Sequence, residues 1–170
     1  MHQQTNELKP VNIINLHSEH DRMFLGTQLF SGKAYQVYEG STDTEAIFSY
    51  LDGREHGLFK KYYKTGQLAE VRRYDRGKKT GDLITWWQNG NQQMNYQYAD
   101  DEYHGVCREW NEQGSLLKEM HYKHGYEDGP QKIFSEDGSV KSNYVIKNRR
   151  RYGLLGTKHC VNLKDSLYRI

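Results

Sequence analysis

Residues 58–81 read LFKKYYKTGQLAEVRRYDRGKKTG, and the frame of that stretch returns along the chain without a gap. It continues as DLITWWQNGNQQMNYQYADDEYHG (82–105), VCREWNEQGSLLKEMHYKHGYEDG (106–129) and PQKIFSEDGSVKSNYVIKNRRRYG (130–153). A degenerate unit, 34–57, precedes them, with Thr42 where the other units have a mid-repeat glycine. Gly57, Gly81, Gly105, Gly129 and Gly153 recur every 24 residues, and Gly66, Gly90, Gly114 and Gly138 keep the same interval. A period in this range marks a tandem array whose units bury their faces on one another.

Three apolar columns follow the register. Tyr38, Tyr62, Trp86, Trp110 and Phe134 form one, and Tyr50, Tyr74, Tyr98, Tyr122 and Ile146 a second. Phe48, Arg72, Tyr96, Met120 and Tyr144 form a third, with one polar exception. Each unit holds two short segments split by glycine turns, and the second alternates apolar and polar residues: Leu116, Met120 and Tyr122 against Glu119 and His121. Period-two alternation predicts a β-hairpin with one apolar face, and no segment carries a helical period. The fold class expected is all-β: an elongated single-layer antiparallel meander of 24-residue hairpins in residues 34–153. Residues 1–33, with RMFLGTQLF (22–30), are expected to supply a capping strand or half-repeat, and 154–170 a C-terminal cap with a short helix from about Asn162.

Composition agrees with a thin fold. Apolar residues make up 35% of the 170, low for a two-layer core, while 14 Tyr, 5 Phe and 3 Trp can cover a half-buried sheet. The net charge of +2 hides a basic end: residues 130–170 hold nine Lys/Arg against three acids, including Arg149, Arg150 and Arg151. Such a cluster suits phosphate, the acidic lipid headgroups of an anionic membrane surface, or an acidic protein. The slightly acidic remainder argues against a broad nucleic-acid face, so no nucleic acid is expected as partner. Cys107 and Cys160 are too few for a disulfide framework or a zinc site, and their pairing stays open. No stretch has the length of a membrane-spanning helix and no signal peptide is visible. Both an exported lipoprotein that has lost its signal and a cytoplasmic protein accord with the polar start MHQQTNELKP.

No motif for a nucleophile with its base, for paired carboxylates or for a phosphate loop is present, and neither enzyme activity nor a cofactor is expected. GKKTG (77–81) lacks the spaced glycine of a phosphate loop. His104, Cys107, His121 and His124 have no familiar ligand spacing, so no metal is assigned to them. The residues singled out for partner binding are Tyr63 and Trp87, aromatics in a column completed by Glu39, Asn111 and Ser135, with Arg149, Arg150 and Arg151 as a second, electrostatic site. Trp86 belongs to a packing column, whereas Trp87 has no tryptophan counterpart in another unit.

The carriers GLFKKYYKTGQL, GDLITWWQNGNQ, GVCREWNEQGSL and GPQKIFSEDGSV resemble the MORN repeat, closest to the variant form of many bacterial proteins. The resemblance spans 34–153 and implies a twisted sheet of hairpins that serves as a scaffold or interaction surface. Some proteins of this kind are YwqK-type antitoxins or immunity-like proteins, and many resemble exported lipoproteins. Binding of a protein or other macromolecule is therefore the function expected, with toxin sequestration and a peripheral membrane scaffold as alternatives.

Overall fold

The computed structural model describes residues 9–154. A first strand, β1 (Val11–Asn12), leads through a 3-10 turn (Ile13–Asn15) to a small antiparallel sheet of β2 (His17–Glu19), β3 (Arg22–Leu25) and β4 (Gln28–Leu29). The array follows as β5 (Gly32–Val37), β6 (Thr44–Leu51), β7 (Arg54–Glu55), β8 (Gly57–Tyr62), β9 (Leu68–Asp75) and β10 (Lys78–Trp86). It continues through β11 (Gln92–Ala99), β12 (Glu102–Tyr103), β13 (Gly105–Trp110), β14 (Leu116–Lys123), β15 (Tyr126–Phe134), β16 (Val140–Lys147) and β17 (Arg150–Leu154). The longer strands pair antiparallel with the next in chain order, while short β7 shares β6 with β8 and short β12 shares β11 with β13. β1 alone adds in parallel, covering the free edge of β5 through Val11↔Ala34 and Asn12↔Tyr35, to complete a 14-stranded sheet. The fold is the all-β meander expected. The C-terminal segment beyond Leu154, with Cys160, lies outside the described residues.

Two kinds of turn alternate, and each sits at its own edge of the sheet. One edge carries two-residue loops whose central pairs both have positive φ: Asp52–Gly53, Arg76–Gly77, Asp100–Asp101, His124–Gly125 and Asn148–Arg149. This is the signature of a type I′ turn, whose twist matches that of its strands. At the other edge the Tyr63 N–H donates to Gln67 O (2.8 Å) and the Gly66 N–H to Tyr63 O (2.8 Å), and the same pair of bonds recurs at Trp87, Asn111 and Ser135. These loops shift the register by one residue, as between Lys61 and Tyr62, which is a glycine bulge.

The unit-closing glycines are expected in turns; the structure moves them into the strands beyond. Gly57, with φ +92, breaks the strand between β7 and β8: Tyr50↔Glu55 precedes it, and Ile47↔Lys60 follows two residues out of step. The bulge leaves backbone groups without ladder partners, and side-chain amides fill some of them. Gln97 Oε1 accepts the Val106 N–H (2.8 Å). The fully buried Gln131 accepts from His121 N–H (3.1 Å) and donates to His121 O (2.8 Å), opposite a proline that has no N–H of its own.

The first unit runs in a different register from the repeat. Gly32↔Tyr50 stands where Gly57↔Tyr74 does, and Val37↔Thr44 where Tyr62↔Leu68 does, an interval of 25 on the first strand. Its turn is one residue longer, with Tyr38 N–H donating to Asp43 O (3.0 Å) and the Ser41 hydroxyl holding Asp43. Tyr38 thus joins the column of Tyr63 and Trp87, not that of Trp86.

Among the described residues a conventional core cluster lies at the N-terminal end, where Leu16, Phe30 and Ala34 are buried beneath Val11, Ile13, Met23, Phe48 and Tyr50. The small sheet is fastened to the first type I′ turn by Met23 N–H to Gly53 O (2.8 Å) and Gly53 N–H to Phe30 O (2.8 Å). A Cβ at Gly53 would lie 2.9 Å from the Met23 carbonyl oxygen, at φ +77. Gly53→Ala is expected to lower stability by about 2 kcal/mol or more, from left-handed strain plus the backbone overlap. Gly66→Ala, with φ +82 and nothing within 4 Å, carries the strain alone, about 1 kcal/mol. Thermal melts of the two variants check the difference.

Candidate functional site

Alternation puts Phe48, Phe59, Arg72, Tyr74, Tyr96, Tyr98, Met120, Tyr122 and Tyr144 on one face, as the pairs Phe59↔Arg72, Leu83↔Tyr96, Cys107↔Met120 and Gln131↔Tyr144 show. A further column on this face runs through Glu55, Lys79, Tyr103, Glu127 and Arg151, each opposite a residue of the Tyr50–Ile146 column. Tyr103 is its centre. Its ring lies 5.4 Å from Tyr96, 4.9 Å from Tyr98 and 5.2 Å from Tyr122, within the range where aromatic pairs attract beyond their buried area. Elsewhere on the face cations cover the rings: Arg72 over Phe59 (4.9 Å), Lys79 over Tyr98 (5.6 Å) and Arg151 over Tyr144 (4.1 Å).

Between these rings a groove of 340 Å³ opens, walled by Tyr96, Tyr103, Tyr122 and Tyr144 and floored by Cys107 and Met120. Its carboxylates are held. Glu109 accepts the Tyr96 hydroxyl and pairs with Lys118 Nζ (2.8 Å). Glu127 accepts the Tyr144 hydroxyl (3.3 Å) and lies 3.9 Å from Arg151. Burial raises the Glu109 carboxyl, but the Lys118 and Tyr96 hydrogen bonds and the Lys118 charge outweigh it and leave it below the usual value. Burial, then the Glu109 hydrogen bond, pushes the Tyr96 phenol well up; burial, then the charge of Glu127, pushes Tyr122 up to about 12. Burial also raises the Cys107 thiol, which keeps it protonated at neutral pH. The groove thus presents neutral phenols over paired carboxylates, and its thiol is not ionised.

Tyr63 and Trp87 fall elsewhere, at the bulged-turn edge and one repeat apart. Their polar atoms are already used: Tyr63 Oη donates to Trp86 O (2.6 Å) and Trp87 Nε1 to Trp110 O (3.2 Å). Tyr38 Oη does the same to Tyr62 O (2.6 Å). The column staples each turn to the next, and Trp86 and Trp87 are both half-buried. Arg149, Arg150 and Arg151 do not share a surface. Arg149 occupies a turn and lies over Tyr126 (5.1 Å), while Arg150 and Arg151 point to opposite faces. Cys107 shares a face with Met120, and His121 with Val106 on the other side, so the His/Cys quartet does not converge. GKKTG begins in a type I′ turn at Gly77 and continues as the first residues of β10, paired with β9. What the sequence reading misses is the groove, although the register of Glu55, Lys79, Tyr103, Glu127 and Arg151 carried its signal.

Trp87→Phe keeps the ring and loses the indole bond, and is expected to destabilise the protein by about 1 kcal/mol in denaturant melts. The tyrosine face also sets an alkaline limit. Tyr50 is pushed to about 12 by burial, then by the charge of Glu55; burial likewise raises Tyr74, Tyr98 and Tyr144. Folded values above the unfolded value of about 10 stabilise the fold below that pH, and the contribution is lost as pH rises through the folded values. The melting temperature is expected to fall between about pH 10 and 12, with phenolate absorbance rising in two steps, the later one coincident with unfolding.

Residues 55–76 and 103–124 each match the family model described as MORN repeat variant. No curated protein matches the chain. Among solved structures, a point mutant of S. aureus TarM in complex with fondaparinux, alpha-GlcNAc-glycerol and UDP overlaps 58% of this chain and 20% of its own, at 16% identity and a TM-score of 0.35. TarM in a second crystal structure overlaps 65% and 21%, at 16% identity and a TM-score of 0.36. This chain spans about a fifth of the length of those two. The two matched segments lie two units apart in the register that the hairpins keep, and the chain carries the MORN repeat variant at both.

Proposed function

We propose that the chain is a non-enzymatic scaffold that binds another protein through the tyrosine face of its sheet. The observation that carries this reading is the groove walled by Tyr96, Tyr103, Tyr122 and Tyr144. Tyrosine supplies large, rigid contact area at low entropic cost, with a hydroxyl that can bond to a partner, and is enriched where proteins anchor one another. Sheet register holds the rings in fixed columns, so binding meets a preformed surface and loses little further freedom. The same face would serve an antitoxin that covers a toxin. A membrane scaffold would need Arg149, Arg150 and Arg151 on one side, and the opposed directions of Arg150 and Arg151, with Arg151 engaged by Tyr144 and Glu127, favour the protein reading.

Site-specific photocrosslinking in the native host tests the proposal. p-Benzoylphenylalanine in place of Tyr122 is expected to give a discrete crosslinked protein, which Tyr103→Ser in the same chain weakens at least five-fold. The same probe in place of Val106, on the opposite face, is expected to give none. Crosslinks from Val106 alone, or from neither position, would exclude this face as the docking surface.

A further inference from the structure

At the type I′ edge, three arginines from three elements line one recess of 160 Å³: Arg22 of β3, Arg54 of β7 and Arg76 of the following turn, together with Leu51 and Asp52. The walls are rigid. Gly53 is bonded on both sides to the small sheet, Gly77 N–H donates to Glu55 O (2.7 Å), and Arg22 Nη1 donates to Asp52 O (3.2 Å). Neither the Arg54 nor the Arg76 guanidinium has an ion pair or hydrogen bond among the described residues. Asp75 pairs with His56 (3.2 Å), Asp100 with Lys78 (3.2 Å) and Asp52 with the Ser31 hydroxyl (3.4 Å), while Asp21 and Glu55 line the adjoining recess without bonding to Arg54 or Arg76.

Arg76 also stands where the fold would choose another residue. It is the first central residue of its turn, at φ +49, a position held by Asp52, Asp100 and Asn148 in three of the other turns. Asn and Asp tolerate left-handed backbone, whereas a long side chain there is disfavoured. A residue that runs against its own turn chemistry, beside two like charges, points to a role other than folding.

We infer that this recess is a socket for the carboxylate of an acidic segment on a partner protein. Guanidinium forks match carboxylate geometry in paired hydrogen bonds. The recess has the dimensions of one side chain, and its three arginines outnumber its single acid. The inference rests on the reading of the chain as a protein-binding scaffold and adds the chemistry of a second contact, at the edge and not on the tyrosine face.

Fluorescence anisotropy of a labelled peptide bearing six consecutive glutamates, titrated with the full chain at low salt, tests it. Arg54→Gln and Arg76→Asn are each expected to weaken binding at least ten-fold. Arg76→Asn should at the same time melt no lower than the native chain, because asparagine followed by Gly77 suits a type I′ turn. Binding should fall steeply with added salt and survive millimolar inorganic phosphate. Equal affinity in both variants, or no binding by the native chain, would overturn the socket. Displacement by millimolar phosphate or by phosphatidylglycerol vesicles would overturn it in favour of a phosphate oxyanion. If peptide binding fails while Tyr122 still crosslinks, the socket alone is lost and the tyrosine face stands.

Discussion

A single-layer sheet has no second layer to hold its hairpins in place, and here the backbone of four type I′ turns does that work. Gly53 N–H donates to Phe30 O, Gly77 to Glu55 O, Asp101 to Lys79 O (3.1 Å) and Gly125 to Tyr103 O (3.0 Å). Three of these turns therefore rest on the preceding unit, and the Gly53 turn on the residue that follows β4. The opposite edge repeats the device with side chains, from Tyr38, Tyr63 and Trp87 to the carbonyls of the next unit. A hydrogen bond contributes only about 1 kcal/mol net, but a bond at nearly every turn fixes both edges. The faces are then free to vary in composition.

That freedom is visible in the columns. The positions of Glu55, Lys79, Tyr103, Glu127 and Arg151 are structurally equivalent, yet they hold two acids, two bases and one aromatic. Near the bases the tyrosine face is closed by its own cations, over Tyr98 and Tyr144. Where Tyr103 takes the position, rings meet rings and the groove opens. The arginine recess beside Gly53 is another such departure from the repeat.

Much of this fold was legible because a strand's period is two and a hairpin's length is fixed. The 24-residue glycine series, the Tyr50–Ile146 column and the polar alternation of residues 116–123 together leave a meander as the consistent solution. The role of the boundary glycines was harder to read. Gly57 and Gly105 look like turn residues in sequence, yet their positive φ serves a bulge, a feature of pairing between strands that one strand does not record. The first unit's 25-residue interval was hidden for a related reason. Its extra loop residue lies opposite the strand that keeps the register, so alignment on Tyr50 places Tyr38 in the wrong column. Trp87 was singled out because it was unlike its column mates. Its indole turned out to do what the Tyr63 hydroxyl does, a likeness of hydrogen-bond geometry rather than residue type. The arginine recess could not be read at all, since Arg22, Arg54 and Arg76 meet only once the small sheet is fastened to the first turn.

Amide hydrogen exchange at the turn tips tests most directly whether turn stacking holds the array together. Exposed two-residue loops ordinarily exchange fast, but the amides of Gly77, Asp101 and Gly125 each donate to a neighbouring unit. They are predicted to exchange as slowly as mid-strand amides of β9, β11 and β14, within about a factor of ten in rate, or 1.4 kcal/mol in opening free energy. Exchange of these three at the rate of the unbonded Asp100 tip, with the strands still protected, would contradict a sheet whose order is set by its turns.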